Sequence, residues 1–292
     1  MTNPSDSVYV GKYVGRHEYP GDAAMVAQYI AATGDDHPWY TGPSPLGGPL
    51  LPALLLHSEQ YTFRLRDWYL PKLYGNLHIR QEWELFRALP VGTPLWTHGM
   101  VVDRYIRKDR DVVVLEFSIF DGENVMAARG RCHQSFLLDV PEGQEVVGRE
   151  QAQRRPPRAA EPEGEPLEVL DPVRHVADLD RCMAFSGPKR NYHNDPEEAR
   201  KLGFPDVVVQ GTLSTVWISE LLTKRFGLGW LAGGRMSLNL VNVLWGGEAV
   251  TARGVVRAVT PEGARQRAHL DVWTEKDDGT KTIAGTASAL LV

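Results

Sequence analysis

The sequence predicts an α+β protein built from two similar units, each a buried helix wrapped by a curved antiparallel sheet. Three observations support this prediction. A segment dense in proline, glutamate and arginine, residues 141–166, divides the chain of 292 residues. Each half contains one strongly apolar stretch of helical character. Four strand-like segments separated by turns then follow in each half, which is the layout of an internal repeat.

The dividing segment, PEGQEVVGREQAQRRPPRAAEPEGEP, is almost free of large apolar side chains. This composition is typical of a solvated linker. We therefore expect a first domain at residues 1–140, a linker at 141–166 and a second domain at 167–292, with each domain close to the usual size.

Each half opens with a short helical pattern that ends in a turn. AAMVAQYIAATGDD, residues 23–36, ends in T-G-D, and VADLDRCMAFSGPK, residues 176–189, ends in S-G-P. The buried helices are predicted to follow at PLLPALLLHSEQYTF, residues 49–63, and at GTLSTVWISELLTKRF, residues 211–226.

The strand-like segments align between the halves, and the alignment places Gly99 on Gly254. A meander that curls around one helix buries the apolar surface of both, which is the hotdog arrangement. Two such units joined edge to edge form a double hotdog with one continuous sheet. The predicted strands lie near 77–87, 94–107, 111–121 and 125–138, and near 234–244, 249–259, 265–275 and 280–291.

The composition and the missing motifs argue against several classes of function. A formal net charge of -5 with no basic patch disfavours nucleic acid as a partner. The N-terminus resembles no signal peptide and no run is long enough to span a membrane, so a cytoplasmic protein is expected. Cys132 and Cys182 form no metal or redox motif, and GxGxxG, P-loop and GxSxG motifs are missing. We therefore expect chemistry without a metal or cofactor.

The candidate site lies in FSGPKRNYHNDPEEARKLGFPDVVVQG, residues 185–211, a polar loop that leads into the second apolar helix. His193 is a candidate for acid/base work because histidine is the side chain that ordinarily titrates near neutral pH. The backbone N–H groups of Gly211 and Thr212 would begin the helix, where they can stabilise a developing oxyanion.

This loop resembles the motif of the MaoC-like (R)-specific enoyl-CoA hydratases and dehydratases, which reads approximately Tyr/Phe-S-G-D-x-N-P-Leu/Ile-H, then G-F and H-G. In the first half TGDDHPWY, residues 33–40, resembles a G-D-D-N-P-L-Y pattern, as in fused proteins with a dehydratase-like N-terminal half. The resemblance implies an acyl-thioester substrate. In the second half, the positions that match the hydratase motif are Phe185, Ser186, Gly187, His193, Gly203, Phe204, and Gln210 with Gly211 at H-G.

Both halves depart from the motif. Pro188 stands at the aspartate position of the second half and Arg190 at the asparagine position, and proline offers no side-chain donor or acceptor. In the first half Asp35 matches the aspartate, but Tyr40 replaces the histidine and His37 the asparagine. Neither half therefore carries a complete Asp/His pair.

Three carboxylates are candidates to assist His193. Asp195, two residues away, is the first choice, followed by Asp206 and then Asp35 from the other half. Asn191 or Tyr192 is the alternative, because either side chain can orient a water for a one-base mechanism.

Other polar residues are candidates for substrate or CoA contacts, although exposed cations are more often only solvated. Asp35, His37 and Tyr40 are weaker candidates in the first half, where a turn accounts for Asp35 and His37 better than a catalytic role does. The candidate contact residues are Tyr192, Gln210, Lys189 and Arg190.

The sequence thus predicts an acyl-thioester hydratase or dehydratase that acts on acyl-CoA or acyl-carrier-protein thioesters. Other cofactor-free thioester chemistry, such as hydrolysis, isomerisation or a cyclising addition, is one alternative. A catalytically silent subunit that binds acyl chains or partners is the other, because both motifs are incomplete. A homodimer is expected, since hotdog units commonly pair.

Overall fold

The computed structural model describes residues 7–63, 67–70, 76–107, 110–137 and 164–292. Residues 141–163 of the predicted linker lie outside this part of the chain. The strands are β1 Tyr13–Tyr19, β2 Leu77–Leu85, β3 Leu95–Arg107, β4 Arg110–Asp121, β5 Met126–Leu137, β6 Glu168–Val169, β7 Val173–Val176, β8 Arg235–Leu240, β9 Ala249–Glu262, β10 Arg265–Lys276 and β11 Lys281–Leu291. The α-helices are α1 Ala23–Thr33, α2 Leu179–Ser186, α3 Pro196–Lys201, α4 Gly211–Phe226 and α5 Leu228–Leu231.

The described residues form one antiparallel sheet of 11 strands, in the order β1-β3-β4-β5-β2-β8-β11-β10-β9-β6, with β7 also paired to β9. The first half contributes its edge strand, then its third, fourth, fifth and second strands. The second half repeats this order outward from β8. The strands predicted from alternating hydrophobicity are present, whereas the edge strands β1, β6 and β7 were not predicted.

The two halves meet where β2 pairs with β8. At this seam Trp83 lies opposite Met236, and both side chains are buried. Glu82 and Glu84 alternate with Trp83 and face the opposite side of the sheet. The predicted continuous sheet is therefore present, and one hydrophobic core extends across both halves.

Helix α4 is the buried helix predicted for the second half. It packs against β7, β9, β10 and β11, and it also reaches β2 of the first half. Most of its side chains are buried, and it ends where Gly227 adopts a φ of 50°. Among the described residues, no helix is both long and apolar enough to cross a membrane.

The predicted helix at residues 49–63 is wrong. This segment is a buried series of turns with one 3-10 helix at Glu59–Tyr61. Its hydrogen bonds join residues three apart, as from Leu55 N–H to the Pro52 carbonyl at 3.1 Å. Pro52 has no N–H to donate and disfavours helical backbone at Leu51, so a regular α-helix is interrupted.

The aligned glycines face the central segments. A Cβ atom on Gly99 would lie 2.9 Å from the Phe63 ring and 2.7 Å from Val14, and one on Gly254 would lie 3.3 Å from Leu221 of α4. A side chain at Gly99 would therefore push the sheet away from the segment that it wraps, whereas one at Gly254 would require Leu221 to shift by a few tenths of an ångström.

We expect Gly99→Ala to lower the free energy of unfolding by about 1–3 kcal/mol, because Val14 and Phe63 are fully buried and leave no room for a methyl group. Urea denaturation measures the change. Gly48→Ala is the control, since a Cβ there meets nothing within 4 Å. Equal stability of the two variants would contradict the packing argument.

Candidate active site

The candidate loop runs from Phe185 at the end of α2 to Gly211, the first residue of α4. It folds back on itself, since Val208 N–H donates to the Tyr192 carbonyl at 3.1 Å. Val209 N–H donates to the Leu244 carbonyl at 2.9 Å and fixes the strand-like end of the loop. The central part of the loop is thereby held beside the residues that lead into α4.

His193 is fixed at its backbone and at its ring. Its N–H donates to Asn191 Oδ1 at 2.8 Å, and its ring atom Nδ1 lies 2.7 Å from the Val208 carbonyl oxygen. A carbonyl only accepts, so Nδ1 carries the proton of this bond. In the neutral ring Nε2 then holds the lone pair, which is the form that a general base requires.

Asn191 has a structural role in this loop. While Oδ1 accepts from His193, Nδ2 donates to the carbonyls of Ser186 at 3.0 Å and Lys189 at 2.9 Å. Both ends of the amide therefore bond to backbone. Asn191 holds the loop around His193, and these contacts do not support the predicted catalytic role.

Asp195 caps α3. Its Oδ1 accepts from the N–H groups of Glu197 at 2.8 Å and Glu198 at 3.2 Å, and its Oδ2 lies 3.1 Å from Arg190 Nη1. The two N–H groups and Arg190 lower the pKa of this carboxyl. Both oxygens already have partners, so this geometry does not support Asp195 as the assistant of His193. Asp206, the second choice, accepts from the N–H of Val207 at 2.7 Å.

The candidate contact residue Tyr192 has surroundings that differ from those of Lys189 and Arg190. The Tyr192 ring lies against the His193 ring, with centroids 3.9 Å apart, and also contacts Phe204. Arg190 is 73% exposed and pairs with Asp195, while Lys189 is exposed. Only Tyr192 of these three contacts the candidate base.

The first turn of α4 has no side-chain cap. Within the described part of the chain, the N–H groups of Gly211 and Thr212 have no acceptor. The Thr212 hydroxyl is also fully buried without a hydrogen-bond partner there. Unpaired donors at a helix N-terminus favour negative charge, as the oxyanion prediction requires.

The first-half candidates form a separate buried network. Asp35 is fully buried, and its Oδ2 accepts from the hydroxyls of Tyr29 at 2.9 Å and Tyr40 at 3.0 Å. Burial and the nearby Glu220 raise the pKa of Asp35 to about 7. Nδ1 of His37 accepts from a backbone N–H, and burial lowers the pKa of that ring.

This network joins the first half to α4. Trp217 Nε1 of α4 donates to the Thr33 carbonyl at 2.9 Å, directly before the Asp35 loop. Burial opposes ionisation of Glu220, but hydrogen bonds from His175 and Lys224 outweigh it and lower its pKa. Glu220 is therefore charged, and Asp35 is the carboxyl that holds a proton near neutral pH.

Sequence reasoning missed the contribution of His57. Its ring stacks on Phe185, with centroids 4.2 Å apart, so the first half borders the candidate loop. Burial lowers the pKa of His57 to about 4, which keeps the ring neutral. The available signal was a single histidine within the apolar run LLLHSEQY, which more often marks a core residue.

One cleft in the described part of the chain is lined by residues other than His193. It has a volume of ≈ 480 Å³ and opens on the outer face of the sheet at the β2–β8 seam. Charged side chains line it, including Arg129 and Arg131 beside Glu82 and Glu84. These residues pair with one another or with Glu116 across neighbouring strands.

Solved structures share this architecture. A structure described as a MaoC-like dehydratase aligns over 97% of this chain and 98% of its own, with a TM-score of 0.72 and 16% identity. A MaoC-like dehydratase from Phytophthora capsici covers 99% of this chain and 97% of its own, with a TM-score of 0.71 and 17% identity. A Mycobacterium tuberculosis protein described as a double hotdog covers 98% and 97%, with a TM-score of 0.62 and 14% identity.

The chain has the double-hotdog fold of the MaoC-like dehydratases. No protein-family model matches the sequence, and no curated protein matches it. This double hotdog differs from the predicted version in its first half, where turns take the place of the central helix.

We expect Asp35→Asn to remove a contribution to stability that falls as pH rises. Folding raises the pKa of Asp35 from 3.8 to about 7, so its contribution is complete below the lower value and is lost as pH rises through the upper one. Buried His57 and His78, whose pKa values are lowered to about 4, add stability as pH rises over this range in both proteins, whereas the contribution of Asp35 falls between about pH 4 and about pH 7. The variant should remove on the order of a few kcal/mol of that fall, measured by urea denaturation.

The neighbouring Asp36→Asn is the matched control, because Asp36 is exposed and should leave the wild-type slope intact. If both variants keep that slope, Asp35 does not hold the proton.

Proposed function

We propose that the protein is an acyl-thioester hydratase or dehydratase acting on CoA-linked or carrier-protein-linked acyl chains. The observation that carries the proposal is the bond from His193 Nδ1 to the Val208 carbonyl, in the loop that leads into the first turn of α4. This bond gives His193 the tautomer that a general base requires. His193 is also close in sequence to Gly211 and Thr212, whose backbone N–H groups are unpaired among the described residues. The fold shared with MaoC-like dehydratases supports the same reaction class.

In the hydration direction, Nε2 of His193 takes a proton from water as the water oxygen forms a bond to C3 of the enoyl thioester. The electron pair of the C2–C3 double bond moves toward the thioester oxygen and forms an enolate. The N–H groups of Gly211 and Thr212 stabilise this oxygen. Protonated Nε2 then delivers its proton to C2, and the thioester carbonyl forms again. Dehydration is the reverse sequence.

One base performs both proton transfers in this proposal. Pro188 supplies no carboxylate, and Asp195 is occupied as the cap of α3. A single imidazole that receives and returns the proton adds water to one face of the double bond. The Val208 carbonyl stabilises the protonated ring, because it accepts from Nδ1 in both charge states.

The same groups would also suit hydrolysis, isomerisation or a cyclising addition of a thioester. A silent acyl-binding subunit is the second candidate, and the incomplete motifs at Pro188 and Tyr40 favour it. Product analysis after incubation with crotonyl-CoA and with 3-hydroxybutyryl-CoA separates these outcomes. Interconversion of the two supports the proposal, whereas free CoA indicates hydrolysis and unchanged substrates indicate a silent subunit.

We expect His193→Ala to lower kcat for crotonyl-CoA hydration by about 10²- to 10⁴-fold, because the only proposed proton carrier is removed. Loss of the enoyl-thioester absorbance measures the rate. His269→Ala is the control, since His269 lines the outer cleft. Retained turnover in His193→Ala would refute the assignment.

The oxyanion donor is tested by Gly211→Pro, which deletes one N–H at a helix position that tolerates proline. The residue before it, Gln210, has the extended backbone that proline requires. A Cβ at Gly211 would lie 2.2 Å from Leu240, so the variant is made together with Leu240→Ala.

The matched control is Gly211→Ala in the same Leu240→Ala background, which keeps the N–H. We expect kcat of the proline variant to be about 10²- to 10³-fold below that of the alanine variant. Equal kcat values would show that this N–H does not act in the reaction.

A further inference from the structure

We propose that the Gln210 side-chain amide is a second oxyanion donor, beside the Gly211 N–H. Gln210 immediately precedes α4 and takes the N-cap position. An N-cap side chain ordinarily accepts from the first-turn N–H groups, but Gln210 makes no such bond. Its side chain is directed to Ser186 instead, and the helix donors stay available.

The hydrogen bond to Ser186 is made by the oxygen end of the Gln210 amide. The serine hydroxyl donates to Gln210 Oε1 at 3.0 Å, so the carbonyl end of the amide faces the serine. The other end, Nε2, carries two N–H donors, and these have no acceptor among the described residues. The residue is partly exposed, so a ligand can reach it. An amide fixed by its oxygen thus presents two donors at the start of α4.

The same hydrogen bonds connect Gln210 to the base. Ser186 accepts from Asn191 through its carbonyl, and Asn191 accepts from His193 N–H. His193 in turn donates to the Val208 carbonyl, two residues before Gln210. These bonds and the short chain segments between them form a closed ring. The ring sets the amide donors and the imidazole in one fixed relation, as two groups acting on one substrate require.

An amide suits this position chemically. The enolate oxygen gains negative charge in the transition state, and donors fixed in advance stabilise it without reorganisation. A glutamine amide donates at every physiological pH, and a glutamate of the same shape only accepts. This inference rests on the proposed thioester chemistry, because it assigns the oxygen on which that reaction places charge.

The test compares Gln210→Glu with Gln210→His and Ser186→Ala, using crotonyl-CoA hydration. We expect Gln210→Glu to lower kcat by about 10²- to 10³-fold with little change in KM, because the donor acts mainly on the transition state. Gln210→His retains an N–H donor and should recover a part of kcat. Ser186→Ala should cause a smaller fall in kcat, since the amide stays but is no longer held.

A merely structural role would lower stability and affect all three variants alike, so urea denaturation accompanies the kinetics. Wild-type kcat in Gln210→Glu, or an equal loss in Gln210→His, would overturn the proposal. The binding of acetoacetyl-CoA, whose enolate carries charge on oxygen, is compared with that of butyryl-CoA by calorimetry.

Gln210→Glu should weaken acetoacetyl-CoA binding selectively. The binding comparison tests the amide donor separately from the hydratase function. If the unmodified protein does not turn over crotonyl-CoA, the hydratase proposal is refuted, but the binding comparison still tests the amide donor. Equal effects of Gln210→Glu on both ligands, or no binding of either ligand by the unmodified protein, refute the amide donor.

Discussion

The pairing of β2 with β8 is the interaction on which the rest of the structure depends. Each half-sheet ends in a strand with unpaired backbone groups, and joining them satisfies both edges. The register places Trp83 and Met236 on the core side, so a slip by one residue would expose both. With the halves fixed in this way, the first-half loop packs on α4, where Trp217 bonds to the Thr33 carbonyl. Phe185 of the candidate loop likewise stacks on His57 of the opposite half.

Each half also fastens its edge strand to its central segment through a buried glutamate. Glu59 accepts from Tyr19 of β1, and Glu220 bonds to His175 of β7. The positions of Tyr19 and His175 are equivalent. Tyr19 pairs with Leu95 of β3, four residues before Gly99. His175 pairs with Val250 of β9, four residues before Gly254. A carboxylate buried without such donors would be strongly unfavourable. The repeat is thus conserved as a packing and hydrogen-bonding scheme, although one central segment is a helix and the other a series of turns.

The candidate loop keeps its geometry without the expected aspartate. Its order comes from Asn191, whose amide bonds at both ends to backbone, and from the ring that links His193 to Gln210. Asp195 contributes by capping α3. A histidine held in this manner needs no carboxylate to select its tautomer, since the Val208 carbonyl does so. In the proposed mechanism, the absence of an acid at Pro188 changes how protons are carried and does not remove the base.

The sequence alone determined the four strand segments of each half and the buried helix α4, because hydrophobic period and turn residues are local signals. The order of the strands in the sheet and the edge strands β1, β6 and β7 came only from the structure. The sequence did not determine the backbone at 49–63, which forms turns and one 3-10 helix in place of the predicted helix. It also did not determine the partners of Asp195, since sequence proximity to His193 says nothing of which atoms the carboxylate bonds. Only the tertiary structure brought Ser186 to Gln210, because hydrogen bonds between distant residues depend on how the chain folds back on itself.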